Sequence, residues 1–433
     1  MKRIAYNRLT EWKNSSNRKP LLLQGARQVG KTYLVNEFGK KEYEHFITLN
    51  FEENPGLKTL FEEDLNPITI LDNIGIYIGE KLTSQNTLLF FDEIQLVPEI
   101  LTSLKYFYEK APEYHIIAAG SLLGVSIGKP SSFPVGKVNF LTMYPMSFIE
   151  YLWASRENLI AEKITTIKKN KSLPEAIHDK LIKHFKQYLF TGGMPEVLQS
   201  YIDNKNIRLV REVQIEILEA YKRDFSKYAD KTQAIKTAEV WQSIPFQLAK
   251  ENKKFKYNDV RKKARASTFE HTIEWLKSAG LINLAYNVST PKIPLQGYAD
   301  YLKFKVYLLD TGLLGALLNL SSTVIISPDD IFREYNGAFI ENYVAQELTV
   351  QGFSPLFYWT SKSDAKVDFL LQKENTVYPI EVKSGTSLNL KSLRSYADRY
   401  DPESIFRTSP RNFSKSGNFV NIPLYAVSNF KFY

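Results

Sequence analysis

Four short apolar runs, Leu21 to Leu23, Ile47 to Phe51, Leu88 to Phe91 and Ile116 to Ala119, punctuate residues 1–150, with amphipathic stretches between them. Apolar runs of strand length alternating with helical patterns predict a parallel sheet covered by helices. From about 150 to 225 the spacing turns helical, interrupted by the lysine-rich segment Lys163 to Lys171 and by Gly192-Gly193-Met194-Pro195, which predicts a small helical domain. Over 236–325 the order is three helices and then two strands, the last being Phe304 to Leu309, which is the order of a winged helix-turn-helix. The remaining residues open with a helix over Ala338 to Leu348. Two strands follow, Val367 to Leu371 and Val377 to Val382, joined by a turn at Lys373-Glu374-Asn375. The expected division is 1–150, 151–235, 236–325 and 326–433, an α/β chain with a helical insertion.

Composition narrows the chemistry. Hydrophobic residues make up 44% of the 433, with 27 Phe and 26 Tyr, enough apolar surface for several cores. The absence of cysteine excludes disulfides, thiolate zinc sites, iron–sulfur clusters and cysteine nucleophiles. Lys13 to Lys19 follows the basic N-terminus without an apolar signal core, and the longest apolar stretch, Val306 to Leu320, is broken by Asp310, so a cytoplasmic chain without a membrane span is expected. The excess of 56 Lys and Arg over 47 Asp and Glu gives a net charge of +9, which suits either an anionic partner such as DNA or RNA or a solvated surface.

The segment Gly25-Ala26-Arg27-Gln28-Val29-Gly30-Lys31-Thr32 follows the run Leu21 to Leu23 and precedes a helical stretch from Tyr33 to Phe38. A loop of this pattern between strand and helix turns its backbone N–H groups toward phosphate oxygens. Lys31 adds charge at the β- and γ-phosphates, and the Thr32 hydroxyl is a Mg²⁺ ligand. The buried strand Leu88-Leu89-Phe90-Phe91 ends in Asp92 and Glu93, and acids at such a tip need a cation or a donor. Asp92 is expected to hold Mg²⁺ and Glu93 to polarise the attacking water. A third strand ends at Ser121, either a sensor of the γ-phosphate or turn chemistry. No N-K-x-D motif is present, which favours ATP over GTP.

Further along, alternation in Val377-Tyr378-Pro379-Ile380-Glu381-Val382-Lys383 projects Glu381 and Lys383 from one strand face. Asp368 lies in the preceding strand, and Glu341 in a helix whose apolar residues Ile340, Val344 and Leu348 recur every four positions. Glu341, Asp368 and Glu381 would be metal ligands, with Lys383 orienting water, or Glu381 and Lys383 are the solvent face of a hairpin. Lys253, Lys254, Lys256, Arg261, Lys262, Lys263 and Arg265 precede a helix with a Ser267/Glu270 capping box and a buried stripe of Phe269, Ile273 and Leu276. Its outward residues Glu270, Glu274 and Lys277 disfavour base reading, while the upstream cations suit phosphate contacts or simple packing.

These motifs resemble the AAA-type P-loop ATPases. They resemble more closely a prokaryotic branch in which the ATPase is followed by a winged helix and a PD-(D/E)xK, restriction-endonuclease-like domain; QGARQVGKT, LLFFDEIQ, IIAAGSLLG, PVGKVNFLTMYPMSFIEYL, TGGMPEVL, KVYLLDTGLL, KVDFLLQ and PIEVKSG carry the likeness. The resemblance implies an ATPase core, a helical lid, a winged helix and a nuclease-like domain over the four segments above. Relatives can carry an arginine after the glycine where this chain has Gly136-Lys137; Lys137 could supply charge but not the planar two-pronged contact, so an arginine finger would come from Arg223, from another subunit or from nowhere. The expected function is ATP hydrolysis coupled to nucleic-acid binding or processing. The alternative is an ATP-dependent signalling or scaffold switch with an inactive C-terminal domain that binds a protein partner.

Overall fold

A computed structural model describes residues 1–62, 64–121, 136–166, 171–228, 230–320, 333–361, 365–385 and 390–430. Two compact units emerge: Lys2–Tyr144 with Ser278–Gly280, and Pro145–Lys277 with Leu281–Tyr433.

In the first unit the four apolar runs are strands β1 (Leu21–Gly25), β2 (His45–Asn50), β3 (Thr87–Asp92) and β4 (His115–Ser121), joined by β5 (Asn139–Met143). All pairings are parallel, in the order β2-β3-β4-β1-β5. Parallel strands covered on both faces read as unbroken apolar runs, and every residue of β3 is buried. On one face Leu22, Leu89, Phe91 and Ile116 pack with Ile70, Ile74, Ile100, Leu104 and Phe107 from two helices, Pro67–Ile78 and Glu99–Lys110. Helix Lys31–Glu42 packs on β1, β3 and β4 through buried Leu34, Val35 and Phe38. β5 is an edge strand with Phe140 51% exposed, so it lacks the apolar run that revealed the others.

The second unit holds the expected helices, among them Glu175–Thr191, Pro195–Asn204, Ile207–Tyr228 and Lys231–Ala249. Of the Lys163 to Lys171 interruption, 167–170 lie outside the described residues. The three-helix, two-strand order also appears, as Lys231–Ala249, Tyr257–Val260, Ala266–Ser278, β6 (Ile282–Val288) and β7 (Ala299–Leu308). The boundary expected between 325 and 326 does not separate sheets. β6 and β7 continue through β8 (Leu356–Thr360), β9 (Lys366–Lys373), β10 (Thr376–Val382), β11 (Ile405–Ser409), β12 (Ser414–Ser416) and β13 (Phe419–Pro423) in one mixed sheet, ordered β12-β13-β11-β10-β9-β8-β6-β7. The reason is backbone pairing: β6 hydrogen-bonds antiparallel to β7 on one side and parallel to β8 on the other, so the two-stranded hairpin has no free inner edge. The helix Ala266–Ser278 begins one residue before Ser267, which therefore sits in its first turn instead of capping it; Phe269, Ile273 and Leu276 are buried as expected.

Two motifs without assigned chemistry find a packing role here. Asp310 caps the helix Thr311–Leu317 by accepting from Leu313 N at 2.9 Å, and its other oxygen accepts from Gly193 N at 2.6 Å. A Cβ on Gly193 would lie 2.0 Å from the Met146 carbonyl, so only glycine permits this approach. Among the described residues no helix is long and apolar enough to cross a membrane.

Candidate nucleotide site and C-terminal acidic cluster

The carboxyl edge of the first sheet gathers the residues expected to bind nucleotide. Gly25 ends β1 opposite Ser121 at the end of β4, while Asp92 ends β3 beside Ala119. The order β4-β1-β5 makes β1 the point where connections diverge to either side, the usual place for a ligand crevice. A Cβ on Gly25 would meet the Met143 carbonyl at 2.4 Å. The loop then turns through Gln28 and Gly30, at φ of 65° and 92°, into the helix Lys31–Glu42, whose first N–H groups have no partner within the helix. Ala26 and Val29 are buried, and Arg27 approaches Glu52 at 3.9 Å.

The Lys31 ammonium folds over the loop, donating to the Gly25 and Ala26 carbonyls at 3.1 and 3.0 Å. Burial pulls its pKa down to about 8, against the opposing pull of Glu93 and Asp92. Thr32 Oγ1 donates to Asp92 Oδ2 at 2.8 Å. Burial raises Asp92 to about 6, partly offset by that hydrogen bond. Thr32 and Asp92 thus present adjacent oxygens, one on a carboxylate that burial leaves short of positive charge, a donor set that fits Mg²⁺. Glu93 adopts φ 58° and is held by Gln95, whose Nε2 donates to Glu93 Oε2 and whose Oε1 accepts from Ser121 N at 3.3 Å.

Sequence reasoning missed two of these contacts. Gln95 links Glu93 to Ser121; its position two residues beyond the acid, where a polar side chain follows Ile94, was the available signal. Buried Arg3 donates to Val29 O at 2.7 Å and to Tyr144 O at 2.6 Å, bracing the loop from behind. Nothing in a basic N-terminal stretch distinguished it from solvated charge. Lys137 pairs with Glu109 at 3.1 Å and lies over the Tyr108 ring, and Arg223 is exposed on its helix.

In the second unit each of the C-terminal acids is engaged by a protein donor. Glu341 is buried on the helix Arg333–Val350, where Oε1 accepts from Lys305 Nζ at 2.7 Å and Tyr307 OH at 2.5 Å, and Oε2 pairs with Lys253. Burial alone would raise Glu341, but the two ammonium groups hold it well below the usual carboxylate range. Lys305 also lies 3.6 Å from Asp368 Oδ1, and Asp368 Oδ2 accepts from Val382 N at 2.9 Å. Glu381 pairs with Lys383 at 2.6 Å, as their shared strand face predicts, and burial raises the Glu381 carboxyl. Among the described residues no group of three or more His, Asp or Glu is arranged to hold a metal ion. In place of an ion, Lys305 of β7 and Lys253, from the segment between the helices Lys231–Ala249 and Tyr257–Val260, pair with the Glu341 oxygens, so a metal held by Glu341, Asp368 and Glu381 would compete with these ammonium groups.

Comparison with known proteins follows this division. Residues 17–152 match the family model described as an AAA domain. Residues 182–324 and 336–427 match two domains of unknown function, DUF8612 and DUF4143, the first of which runs across the boundary expected at 235. The uncharacterized proteins Mb2031c of Mycobacterium bovis and Rv2008c of Mycobacterium tuberculosis are each 29% identical over 93 residues, 21% of this chain and 20% of theirs. The match thus spans about a fifth of the length of these curated relatives. Among solved structures, the Walker-type ATPase PABY2304 of Pyrococcus abyssi aligns with a TM-score of 0.44 at 16% identity, over 72% of this chain and 94% of that one. AMPPCP-bound DnaA of Aquifex aeolicus aligns at 0.25 and 19% identity, over 64% and 87% of the two chains. The loop and the paired acids fall inside the stretch that matches, so residues 17–152 are similar to AAA domains and carry the glycine-bounded loop and strand-end acids of a P-loop nucleotide site.

Proposed function

We propose that this chain hydrolyses ATP and uses its nucleotide state to govern the binding of nucleic acid, without cutting it. The observation that carries the ATP reading is the contact of Thr32 Oγ1 with Asp92 Oδ2 at 2.8 Å, beside Lys31 on the glycine-bounded loop. When bound, ATP brings the triphosphate and Mg²⁺ the divalent charge that neutralises it, with Thr32 and Asp92 as the protein's ligands to the metal. The backbone N–H groups of residues 25–32 bind the phosphates, and the Lys31 ammonium exchanges neutral carbonyl acceptors for charged oxygens, a stronger bond. Glu93 takes the proton of the attacking water at its carboxylate, and Gln95 orients that carboxylate and connects it to Ser121. Lys137 is engaged by Glu109, which supports slow intrinsic turnover and a switch in preference to a motor.

The neutralised carboxylate of Glu341 supports a C-terminal unit that binds and does not cleave. The same observation favours a second reading, a scaffold switch whose C-terminal unit holds a protein partner. Three measurements test the proposal. Lys31→Ala should abolish ATP binding, and Glu93→Gln should retain binding while hydrolysis falls by about 100-fold or more. Single-stranded DNA or RNA should change the turnover of the wild-type protein. Normal turnover in both variants would refute the ATP site, and indifference to every nucleic acid at moderate salt would leave the scaffold reading.

A further inference from the structure

A cavity of about 600 Å³ opens in the second unit beside the acids just described. Its lining includes five lysines, Lys253, Lys254, Lys303, Lys305 and Lys366, against the carboxylates of Glu251, Glu341 and Asp368. Charge is distributed unevenly within it. At the floor, buried Lys305 and mostly buried Lys253 face Glu341 and Asp368, so two positive and two negative charges cancel. Toward solvent, Lys254 makes no ion pair among the described residues, Lys366 donates to the Glu251 backbone carbonyl at 3.1 Å, and Lys303 pairs with Asp300 while 52% exposed. The rim therefore presents amines able to meet an incoming anion. The uncharged walls, Asn252, Asn287, Tyr358 and Thr360, offer hydrogen-bonding groups.

The size and surroundings select the ligand. The cavity is larger than a lone phosphate needs, and along the chain beyond it come the exposed cations Lys256, Lys262, Lys263 and Arg265, while Arg261 is paired with Glu239 at 2.7 Å. A polar pocket with an amine-bearing rim, in a chain segment rich in further cations, suits a polyanion longer than one phosphate. We propose that this cavity binds the phosphate backbone of a single-stranded nucleic acid through lysine ammonium groups, with Lys305 facing both Glu341 and Asp368 from within. Binding here needs no metal, because Glu341 and Asp368, the buried acids that would repel the phosphates, already face Lys253 and Lys305, which leaves exposed Glu251 as the one opposing carboxylate in the lining among the described residues. No covalent step takes place at the pocket. This inference rests on the nucleic-acid reading above and adds where the strand binds and by what charge.

The test uses the full chain and a short fluorescein-labelled single-stranded DNA, followed by anisotropy at low salt in EDTA and again with Mg²⁺. The wild-type protein should bind in EDTA, and Mg²⁺ should not strengthen that binding. The double variant Lys254→Glu/Lys366→Glu, which changes two side chains at the cavity rim, should bind about tenfold or more weakly while its DNA-independent ATP hydrolysis is unchanged. A control, Lys183→Glu/Lys415→Glu, makes the same change in net charge at exposed lysines that do not line the cavity and should lose much less. Equal losses in the two double variants, an unaltered affinity in the rim variant, or a requirement for Mg²⁺ would each overturn the pocket while leaving nucleic-acid coupling intact. No binding by the wild-type protein in either buffer would overturn both.

Discussion

Lys31 and Asp92 are buried charges whose pKa values move toward each other, Lys31 down to about 8 and Asp92 up to about 6. Each shift has a consequence for nucleotide affinity. A triphosphate favours the ammonium form of Lys31, so that contribution is complete below about pH 8 and weakens as pH rises through it. A cation favours the Asp92 carboxylate, so its contribution is complete above about pH 6 and fades as pH falls through it. Titration of a fluorescent ATP analogue with Mg²⁺ should give a bell-shaped affinity profile between these limits, with the acid limb absent in Asp92→Asn wherever binding survives. A profile flat from about pH 5 to about pH 9 would remove the burial argument for both groups. Gln95 belongs to the same scale. Because it touches Glu93 and Ser121 and not the helix that begins at Lys31, Gln95→Ala should lower kcat about tenfold and leave KM within about twofold. A rise in KM with unchanged kcat would instead assign Gln95 to nucleotide binding.

At the scale of elements, the helix Arg333–Val350 fastens the second unit through buried acids. Glu347 Oε1 accepts from Phe148 N at 2.9 Å, while Oε2 has no partner among the described residues, and burial pushes the carboxyl up to about 8. The folded state therefore holds a proton that the unfolded chain releases near pH 4.5, and stability falls as pH rises between that value and about 8, by at most about 1.4 kcal/mol per pH unit. Glu347→Gln keeps the shape without the titration, so its thermal midpoint should vary less across that window than the wild type's; parallel curves would show that Glu347 is ionised in the folded protein. On the same helix Glu341 is neutralised by Lys305 of β7. Lys305→Met leaves a buried carboxylate short of a partner and should cost about 3 kcal/mol or more in denaturant unfolding, and adding Glu341→Gln should recover much of the loss. Additive losses in the double variant would show that the pair is not coupled.

For the whole molecule, the proposal is a linkage between nucleotide and nucleic acid. Linkage is reciprocal, so the factor by which ATP changes affinity for single-stranded DNA must equal the factor by which the DNA changes affinity for ATP. Hydrolysis-deficient Glu93→Gln saturated with ATP should bind the labelled strand at least about fivefold more tightly or more weakly than the same variant with ADP. Identical affinities in the two nucleotide states would mean that the chain holds two independent sites and is no switch. A net charge of +9 makes part of any DNA binding non-specific, which is why the comparison is between nucleotide states and not between proteins.

What could be read directly from the residues was whatever depends on neighbours along the chain. The unbroken runs of β1, β3 and β4, the glycine-bounded loop ahead of Lys31, the acids ending β3 and the shared face of Glu381 and Lys383 follow from strand period and loop chemistry over a few positions. Edge strand β5 was overlooked because its half-exposed side chains lack that pattern. Tertiary structure alone decided which charges meet. Arg3 reaches Val29 across 26 residues, Lys305 reaches Glu341 across 36 and Lys253 reaches it across 88, separations over which composition carries no information about contact. The pairing of β6 with β8 is of the same kind, since backbone hydrogen bonds between strands are indifferent to side-chain sequence. A carboxylate has one pattern in sequence whether it awaits a metal or an ammonium group; only the fold brings one of them within 3 Å, and here it brought Lys305.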